Sequence, residues 1–373
     1  MEISILKEDD KKEQRVASSP DVIKLLHNFS SKLLVETGAG EISGYGDELF
    51  KSAGAKITNR VECLNADICL AVKMPNKKDI DNMKTGSTLI GILNPYNNND
   101  FLDTLNKNQI SACCMELIPR ISRAQSMDVL SSQANLSGYK AVIDAAEQFK
   151  KAFPMMMTAA GRVNPAKVMI LGVGVAGLQA IATAKRLGAV VSATDVRSAT
   201  KEQVESLGGK FIMVDDEEAK NAESAEGYAK EMSDNFKKKQ AHLISETIAK
   251  QDIVISTALI PGKKAPILLT EEMVGSMAPG SIIVDLAVES GGNCPLSKVD
   301  EIVEYNGVKI IGYGNMPGRV AKDASGLYAK NIYNFLNLLI DKEKKQINFD
   351  FKDEIISSVV LTHQGHTRLE QFK

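Results

Sequence analysis

Three glycines at the end of an apolar run have the spacing of a loop that binds phosphate groups. Gly172, Gly174 and Gly177 form the pattern G-x-G-x-x-G within VMILGVGVAGLQAIATAKRLG. The pattern alone is weak evidence, but here it follows a strand candidate, Lys167–Leu171, and opens a helix candidate, Leu178–Leu187. Such glycines permit a tight turn, close approach of the backbone to a pyrophosphate and close helix packing, while the helix N-terminus offers amide donors. The motif predicts a dinucleotide site, with a tight turn that binds no ligand as the alternative.

A carboxylate follows the next strand candidate. Asp195 comes 18 residues after the last motif glycine, where a carboxylate accepts hydrogen bonds from the adenosine ribose hydroxyls. Because a carboxylate repels a 2′-phosphate, NAD(H) is favoured over NADP(H), although the neighbouring Arg197 could accommodate that phosphate. Val175 and Ala176 in the loop, and Val196 beside the acid, complete the predicted cofactor-binding set.

The composition excludes several classes of protein. The chain has 373 residues, and its 45 Lys and Arg nearly balance 47 Asp and Glu, which argues against a nucleic-acid binder. The longest uncharged stretch, residues 168–184, is shorter than the ~20 apolar residues that cross a bilayer. The first residues, MEISILKEDDKKEQR, are too charged for a secretory signal and too acidic for a transit peptide. We therefore expect a soluble, intracellular chain.

Neither the cysteines nor the histidines predict a metal site. The five cysteines are scattered without a CxxC spacing, which favours buried thiols in a reducing compartment over disulfides or zinc. His363 and His366 form an H-x-x-H pair in what we interpret as a surface tail, but two ligands are too few for a zinc site. We predict no metal.

Short apolar segments alternate with amphipathic ones, a pattern typical of βα units and parallel sheets. The first series of strand candidates is Glu2–Leu6, Leu33–Glu36, Ile68–Val72, Thr88–Ile92 and Ser111–Glu116. The second series is Lys167–Leu171, Ala189–Thr194, Lys210–Met213, Asp252–Thr257, Ser281–Leu286 and Lys309–Gly312. Helix candidates include Pro20–Ser31, a long one at about Leu130–Ala152, and Ser325–Leu339. We predict an α/β fold of two Rossmann-like parallel-sheet domains joined by long helices. The first domain is discontinuous, residues 1–134 plus 317–373, and residues 135–316 form the NAD(H)-binding domain.

Longer segments resemble a specific family. The stretch MELIPRISRAQSMDVLSSQANLSGYKAV, the glycine motif, TALIPGKKAP, IIVDLAVESGGNCPL and NMPGRVAKDAS together resemble the NAD(H)-binding alpha subunit (domain I) of proton-translocating transhydrogenases. The resemblance covers nearly the whole chain and is weakest after about Ile340. This family shares its fold with alanine dehydrogenase.

The resemblance implies further site residues. By match to the family, Arg120, Gln125 and Asp128 contact the nicotinamide end of NAD(H), with Ser131 just beyond, and Tyr228 lies on a mobile loop that closes over the nucleotide. The same residue types suit other roles. Asp128 and Ser131 could cap the helix that starts there, and Gln125 and Tyr228 could be ordinary exposed residues.

Two reactions must then be distinguished, the oxidation of an amino acid and the exchange of hydride between two nicotinamides. An amino-acid dehydrogenase needs cationic anchors for a carboxylate and a general acid or base. Arg15 and Lys73 match basic positions of the alanine dehydrogenase pattern, but Asn94 stands about where its histidine is expected and Glu289 replaces its aspartate. Hydride exchange between two nicotinamides transfers no separate proton, so it needs only that the rings be held close and water excluded. These differences favour the transhydrogenase, with an alanine dehydrogenase-like enzyme as the alternative.

The resemblance also implies partners. The chain would transfer hydride from NADH to NADP⁺ held on the NADP(H)-binding domain of a beta subunit, with separate membrane-spanning subunits translocating protons. It would be a homodimer on the cytoplasmic or matrix-equivalent face, peripheral to the inner membrane. An NAD(H)-sensing regulatory module is a third reading, which the nicotinamide-end residues disfavour. The roles of Arg15, Lys73 and the Asn94 loop are left open.

Overall fold

A computed structural model describes residues 1–96, 99–214, 233–260 and 262–372. The chain divides into two compact units, Met1–Gln133 with Pro317–Lys373, and Ala134–Met316. The long helix Val129–Gln148 begins in unit 1 and continues into unit 2. We describe each unit by itself.

Unit 1 is built on a parallel sheet that, in the described residues, has six strands in the order β3-β2-β1-β4-β5-β6. Its strands are β1 Glu2–Ile5, β2 Lys32–Glu36, β3 Lys56–Thr58, β4 Ile68–Leu70, β5 Thr88–Gly91 and β6 Ser111–Cys114. Strands β4, β5 and β6 are buried along their whole length, as expected where helices and other segments cover both faces of a parallel sheet. The helices are α1 Pro20–Leu26, α2 Asp47–Ser52, α3 Arg60–Leu64, α4 Lys77–Asn82, α5 Leu102–Lys107 and α6 Val129–Gln148. From the C-terminal segment come α11 Ala321–Leu339 and α12 Glu354–Val359.

The parallel strands of unit 2 repeat the order of unit 1, and one antiparallel strand is added at an edge of the described sheet. Its described strands run β11-β10-β9-β12-β13-β15-β14, and only β14 is antiparallel to its neighbour. The strands are β9 Lys167–Leu171, β10 Val190–Thr194, β11 Lys210–Phe211, β12 Ile253–Ser256, β13 Ile282–Asp285, β14 Ile302–Tyr305 and β15 Val308–Ile311. The helices, besides α6, are α7 Val175–Arg186, α8 Thr200–Ser206, α9 Asp234–Ile248 and α10 Glu271–Gly275. Counted over its parallel strands, each unit thus has the 3-2-1-4-5-6 order of a dinucleotide-binding sheet, and the predicted fold class is confirmed.

The alternation of side chains along β9 shows how both faces of its sheet are covered. Val168 and Ile170 pack into the cluster that contains Ala180 of α7. Met169 and Leu171 face the opposite cluster, which includes Ile248 of α9. Successive residues of a strand point to opposite faces, so an unbroken apolar run such as KVMIL is required here.

Some predicted elements differ from the observed ones. The helix predicted over Pro20–Ser31 ends at Leu26, and the long helix ends at Gln148 rather than about Ala152, ahead of Pro154. The predicted surface tail is a packed hairpin, because Nδ1 of His363 lies 2.9 Å from the Ser111 hydroxyl and its ring centroid lies 4.5 Å from that of Phe349.

Three small hairpins were not predicted. Their strands are β7 Met156–Thr158 with β8 Gly161–Val163, β16 Ile340–Asp341 with β17 Gln346–Ile347, and β18 Thr362–His363 with β19 His366–Thr367. Within the described ranges, no helix has the length and apolarity to cross a membrane.

Candidate nucleotide site

The glycine motif joins β9 to α7 at the point where the strand order of unit 2 reverses. Gly172 has a φ of +96°, and a Cβ at Gly177 would lie 2.0 Å from the Gly172 carbonyl oxygen. These two positions therefore require glycine for turn geometry and helix packing. A Cβ at Gly174, by contrast, would meet no atom of the described residues within 4 Å. The middle glycine faces open space, which a phosphate group could approach.

The first turn of α7 supplies donors for that space. Gly174 is the N-cap residue of α7, and because it has no side chain it makes no capping hydrogen bond to the first turn. The first amide groups of a helix lack partners within the helix and carry the positive end of its dipole. Val175 is exposed beside them, whereas Ala176 is half-buried. The residues present fit the pyrophosphate of a dinucleotide.

A residue next to the neighbouring strand β12 makes a hydrogen bond to the glycine loop, and the sequence analysis did not identify it. The Thr257 hydroxyl, just after β12, donates to the Gly172 carbonyl oxygen over 3.0 Å. The buried Asn293 amide then holds the following segment, since its Nδ2 donates to the carbonyls of Ala258 and Pro266 over 2.9 and 2.8 Å. A polar residue directly after a strand that neighbours the glycine strand was the available signal for Thr257.

Asp195 lies at the carboxyl end of β10 and connects to the glycine loop directly. One carboxylate oxygen accepts the Val173 N–H over 2.7 Å, and the Arg197 guanidinium contacts both oxygens over 2.9 and 3.0 Å. Burial of the carboxyl opposes ionisation, but the hydrogen bonds from Arg197 and Val173 hold the pKa of Asp195 below its usual value. Asp195 is therefore a carboxylate at neutral pH, and Arg197 is paired with it. The adjacent Val196 is 65% exposed.

The residues predicted to contact the nicotinamide end of NAD(H) lie in unit 1, on a loop of residues 120–128. Most of this loop forms a short 3-10 helix, Ser122–Met127. The side chains of Arg120 and Gln125 are exposed, and within the described ranges no hydrogen bond or ion pair engages them. Ala124 and Met127 of the same loop are buried in the core. The loop is thus anchored through its apolar residues and presents its polar ones.

Asp128 and Ser131 make the helix cap that the residue types alone suggested. The Asp128 carboxylate accepts the Ser131 N–H over 2.9 Å and the Ser131 hydroxyl over 2.6 Å at the start of α6. A capping role does not prevent contact with a ligand, because Asp128 is half-buried rather than enclosed. Tyr228 lies outside the described residues.

Unit 1 carries a cluster of charges at its own reversal point, between β1 and β4. Arg15 is buried and donates to both Glu13 oxygens over 2.7 Å and to Gln133 Oε1 over 2.9 Å. The Lys73 ammonium lies 3.0 Å from an Asp10 oxygen. The Glu8 carboxyl accepts the Val72 and Lys73 N–H groups. Burial of this carboxyl is the dominant influence and raises the pKa of Glu8 to about 7.

The positions that differ from the alanine dehydrogenase pattern have structural roles here. Asn94 has a φ of +48°, a conformation that Asn tolerates better than most residues, and its N–H donates to Glu116. Burial raises the pKa of Glu116 to about 7, and its Oε2 is buried with no hydrogen-bond partner in the described part of the chain. Glu289 accepts the Asn315 N–H over 2.9 Å.

No metal site or disulfide is present among the described residues. Their cysteines are free and buried, and burial raises the pKa of each thiol, so none is a ready thiolate ligand. No group of three or more His, Cys, Asp or Glu side chains in these ranges could hold an ion.

Comparison with known proteins identifies the family. Residues 4–137 match the family model described as alanine dehydrogenase/PNT, N-terminal domain, and residues 141–370 match the C-terminal domain of the same description. The chain is 55% identical over 372 residues to the first of the chains that form the NAD(P) transhydrogenase alpha subunit of Rhodospirillum rubrum, covering 98% of this chain and 97% of that protein.

Two further comparisons place the chain within that family. A crystal structure of transhydrogenase from Sinorhizobium meliloti is 47% identical, with a TM-score of 0.91 over 98% of this chain and 100% of that one. Alanine dehydrogenase 1 of Staphylococcus aureus is only 27% identical over 375 residues, covering 98% of this chain and 94% of that protein. The chain therefore belongs to the alanine dehydrogenase/PNT family and, within it, to the NAD(P) transhydrogenase alpha subunits.

Proposed function

We propose that the chain binds NAD(H) and exchanges hydride directly with NADP(H) held by a partner subunit. The observation that carries this proposal is the glycine loop of unit 2, whose Gly174 faces open space at the N-terminus of α7 while Asp195 follows the next strand. This arrangement suits a dinucleotide with free ribose hydroxyls. The identity to transhydrogenase alpha subunits supplies the reaction class.

Each predicted residue has a place in this proposal. Gly172, Gly174 and Gly177, with Val175 and Ala176, bind the pyrophosphate through backbone groups. Asp195 binds the adenosine ribose, flanked by Val196 and Arg197. Arg120, Gln125, Asp128 and Ser131 act on the nicotinamide end, and Tyr228 closes over the bound nucleotide.

The reaction needs no proton donor from this chain. Hydride leaves C4 of the dihydronicotinamide with its electron pair and adds to C4 of the oxidised ring, so neither ring exchanges a separate proton with solvent. The protein must hold the two rings and exclude water. Asn94, whose side chain is neither an acid nor a base, can therefore stand where a dehydrogenase would need one.

We also propose the setting. The chain works as a homodimer with the NADP(H)-binding domain of a beta subunit, and membrane-spanning subunits couple the Si-specific transfer to proton translocation. It is peripheral to the inner membrane on the cytoplasmic or matrix-equivalent face. Residues 1–134 with 317–373, and residues 135–316, are proposed to fold as two domains.

A mixing experiment tests the proposal. The purified chain is combined with an NADP(H)-binding domain from a related beta subunit, NADPH, and an NAD analogue whose reduced form absorbs at its own wavelength. We expect reduction of the analogue that depends on both proteins. No transfer with both nucleotides demonstrably bound would refute the proposal.

The alternative, an alanine dehydrogenase-like enzyme, is favoured only by Arg15 and Lys73. Here Arg15 donates to Glu13 and Gln133, and Lys73 pairs with Asp10, so a substrate carboxylate would have to displace internal partners. Alanine-dependent formation of NADH by the isolated chain would establish this alternative; we expect none.

A further inference from the structure

The 120–128 loop is held by two asparagines of α11, a helix far away in sequence. The Asn331 and Asn334 side-chain amides both donate to the Ser126 carbonyl oxygen, over 2.8 and 3.0 Å. A carbonyl oxygen has two lone pairs, and here both are used. Because Ser126 directly follows Gln125, these hydrogen bonds restrain the backbone next to the proposed nicotinamide contact.

Asn331 also connects the loop to the first turn of α6. Its Oδ1 accepts the Ser132 hydroxyl over 2.7 Å, while its Nδ2 donates to Ser126. Asn331 is 7% exposed, so a lost hydrogen bond could not be replaced easily by solvent. One buried amide therefore links the loop to the cap that Asp128 makes.

A third restraint comes from the C-terminal segment. The Arg123 guanidinium makes two hydrogen bonds to the Asp353 carboxylate, over 2.7 and 3.1 Å. Arg123 is 49% exposed, so this pair contributes little to the free energy of unfolding, but its two-point geometry fixes the side of the loop opposite the core.

The restraints contrast with the freedom of the side chains they surround. The side chains of Arg120 and Gln125 are exposed and make no hydrogen bond or ion pair to any described residue. A site that orients a nicotinamide ring requires a loop with a fixed backbone and polar side chains that are available to the ligand. A misplacement of the reacting group by ~1 Å can lower the rate about 100-fold.

We propose that Asn331, with Asn334 beside it, is a positioning residue for hydride transfer. The two amides hold the 120–128 loop so that Gln125 sets the orientation of the nicotinamide ring. This inference rests on the proposed function, because it assigns the accuracy of that reaction to residues outside the set proposed to bind the nucleotide.

The test compares Asn331→Asp with wild type and with Asn337→Asp. The first change keeps the shape and the Ser132 acceptor but replaces the donor to Ser126 by an oxygen. Asn337 lies on the same helix, and among the described residues its amide donates to the Tyr333 carbonyl of that helix alone, so it controls for the added charge. NADH affinity and the single-turnover transfer rate to the partner domain are measured for each chain.

We expect Asn331→Asp to slow transfer at saturating nucleotide at least tenfold while the Kd for NADH stays within threefold, because the pyrophosphate end is held elsewhere. Asn337→Asp should behave as wild type. A transfer rate within twofold of wild type, or a rate loss matched by an equal loss of NADH affinity, would overturn the inference.

Two further variants keep the inference testable if Asn331→Asp does not fold. Asn334→Ala removes the half-exposed donor and should slow transfer about threefold or more, whereas Asn334→Gln, which retains an amide, should restore most of the rate. Equal rates for these two variants and wild type would overturn the inference. Wild-type chain that transfers no hydride at all would instead refute the proposed function, so the two failures are distinct.

Discussion

Asp195 is the residue that ties nucleotide choice to the shape of the glycine loop. Its carboxylate accepts the Val173 N–H inside the loop and pairs with Arg197. The sequence alone left Arg197 as a possible 2′-phosphate ligand. In the structure that guanidinium is paired with the carboxylate, so accommodating a 2′-phosphate would first require the pair to separate. Both residues therefore favour NAD(H).

Replacing Asp195 by Ala should weaken NADH binding and relax discrimination against NADPH. The change removes charge-assisted hydrogen bonds worth about 1.5–3 kcal/mol each, so we expect at least a tenfold rise in the Kd for NADH, measured by titration. Asp252→Ala is a matched control, because Asp252 also accepts a backbone N–H, that of Lys167, at the opposite end of β9. Unchanged affinity and selectivity in Asp195→Ala would remove this residue from the site.

Gln125→Asn should separate binding from transfer. One methylene fewer withdraws the amide from the ring without altering the pyrophosphate or ribose contacts. We expect the Kd for NADH to change less than threefold and the single-turnover transfer rate to fall about tenfold. A normal rate would mean that this side chain does not orient the ring.

Glu116 should give the stability of the chain a slope with pH. Burial raises the pKa of Glu116 to about 7 from an ordinary 4.5, so the folded chain holds this proton more tightly than the unfolded chain does. The stabilisation linked to that proton is complete below about pH 4.5 and is lost as the pH rises to about 7.

Chemical unfolding of wild type and Glu116→Gln between pH 5 and pH 8 measures this effect. The amide cannot ionise, so the variant should gain stability relative to wild type as the pH rises, by up to about 3 kcal/mol. Glu8, which shares the raised pKa, is present in both chains and cancels in the difference. A difference that does not vary with pH would contradict the assignment.

At the scale of elements, the start of α6 combines a structural cap with a proposed ligand contact. Asp128 accepts both the backbone N–H and the hydroxyl of Ser131. A side chain that caps a helix has a fixed rotamer, and a fixed rotamer also serves recognition of a ligand. The cap thus explains why the 120–128 loop ends where it does.

Asp128→Ala should lower the free energy of unfolding by about 1 kcal/mol, the usual value of an N-cap, measured by chemical denaturation. Asp128→Asn preserves the acceptor for the Ser131 N–H and should lose less than half of that. If Asp128 also acts on the nicotinamide end, Asp128→Asn will slow hydride transfer although its stability is nearly that of wild type. Equal stability of Asp128→Ala and wild type would contradict the capping role.

The elements that sequence could predict are those whose signals are local. The buried strands of both sheets carry apolar runs, as in ICL of β4, so their positions were predicted to within a residue or two. The edge strand β3 has only three partly exposed residues, and β14 alternates exposed and half-buried ones. Such strands form because a neighbouring strand offers hydrogen-bond partners to their backbone. Their own residues do not indicate which segment that neighbour is.

The same reasoning separates the predicted from the missed site residues. Gly172 and Asp195 belong to a motif with fixed spacing along one βαβ unit, so the sequence alone locates them. Thr257 and Asn331 reach their loops from elements distant in the chain. The one local signal for Thr257 is its place directly after a strand, and nothing near Asn331 in the sequence marks it. The predicted His363 tail was wrong for a related reason, since its partners Ser111 and Phe349 come from other segments.

At the scale of the whole molecule, the two units share a strand order but not a ligand-binding chemistry. After β9 the chain reads GVGVAG, whereas after β1 it reads LKEDDKKEQR. In unit 1 the segment after β1 contains no glycine and brings Glu8, whose carboxylate oxygens accept the N–H groups at the end of β4. A carboxyl that already occupies backbone donors leaves none for a phosphate, and as an anion it repels one.

We therefore expect one NADH per chain, and two per proposed homodimer, despite two sheets of the dinucleotide-binding order. Isothermal titration of the wild-type chain with NADH should fit a single class of site with a stoichiometry near one. Asp195→Ala should weaken that site and reveal no second one, because the segment after β1 contains no glycine and Glu8 accepts the Val72 and Lys73 N–H groups at the reversal point of unit 1. Two equivalents bound per chain, or residual tight binding in a Gly174→Asp variant whose carboxylate occupies the open space, would show that unit 1 also takes a nucleotide. A stoichiometry of one would agree with the proposed function, in which unit 1 contributes the 120–128 loop and binds no second nucleotide.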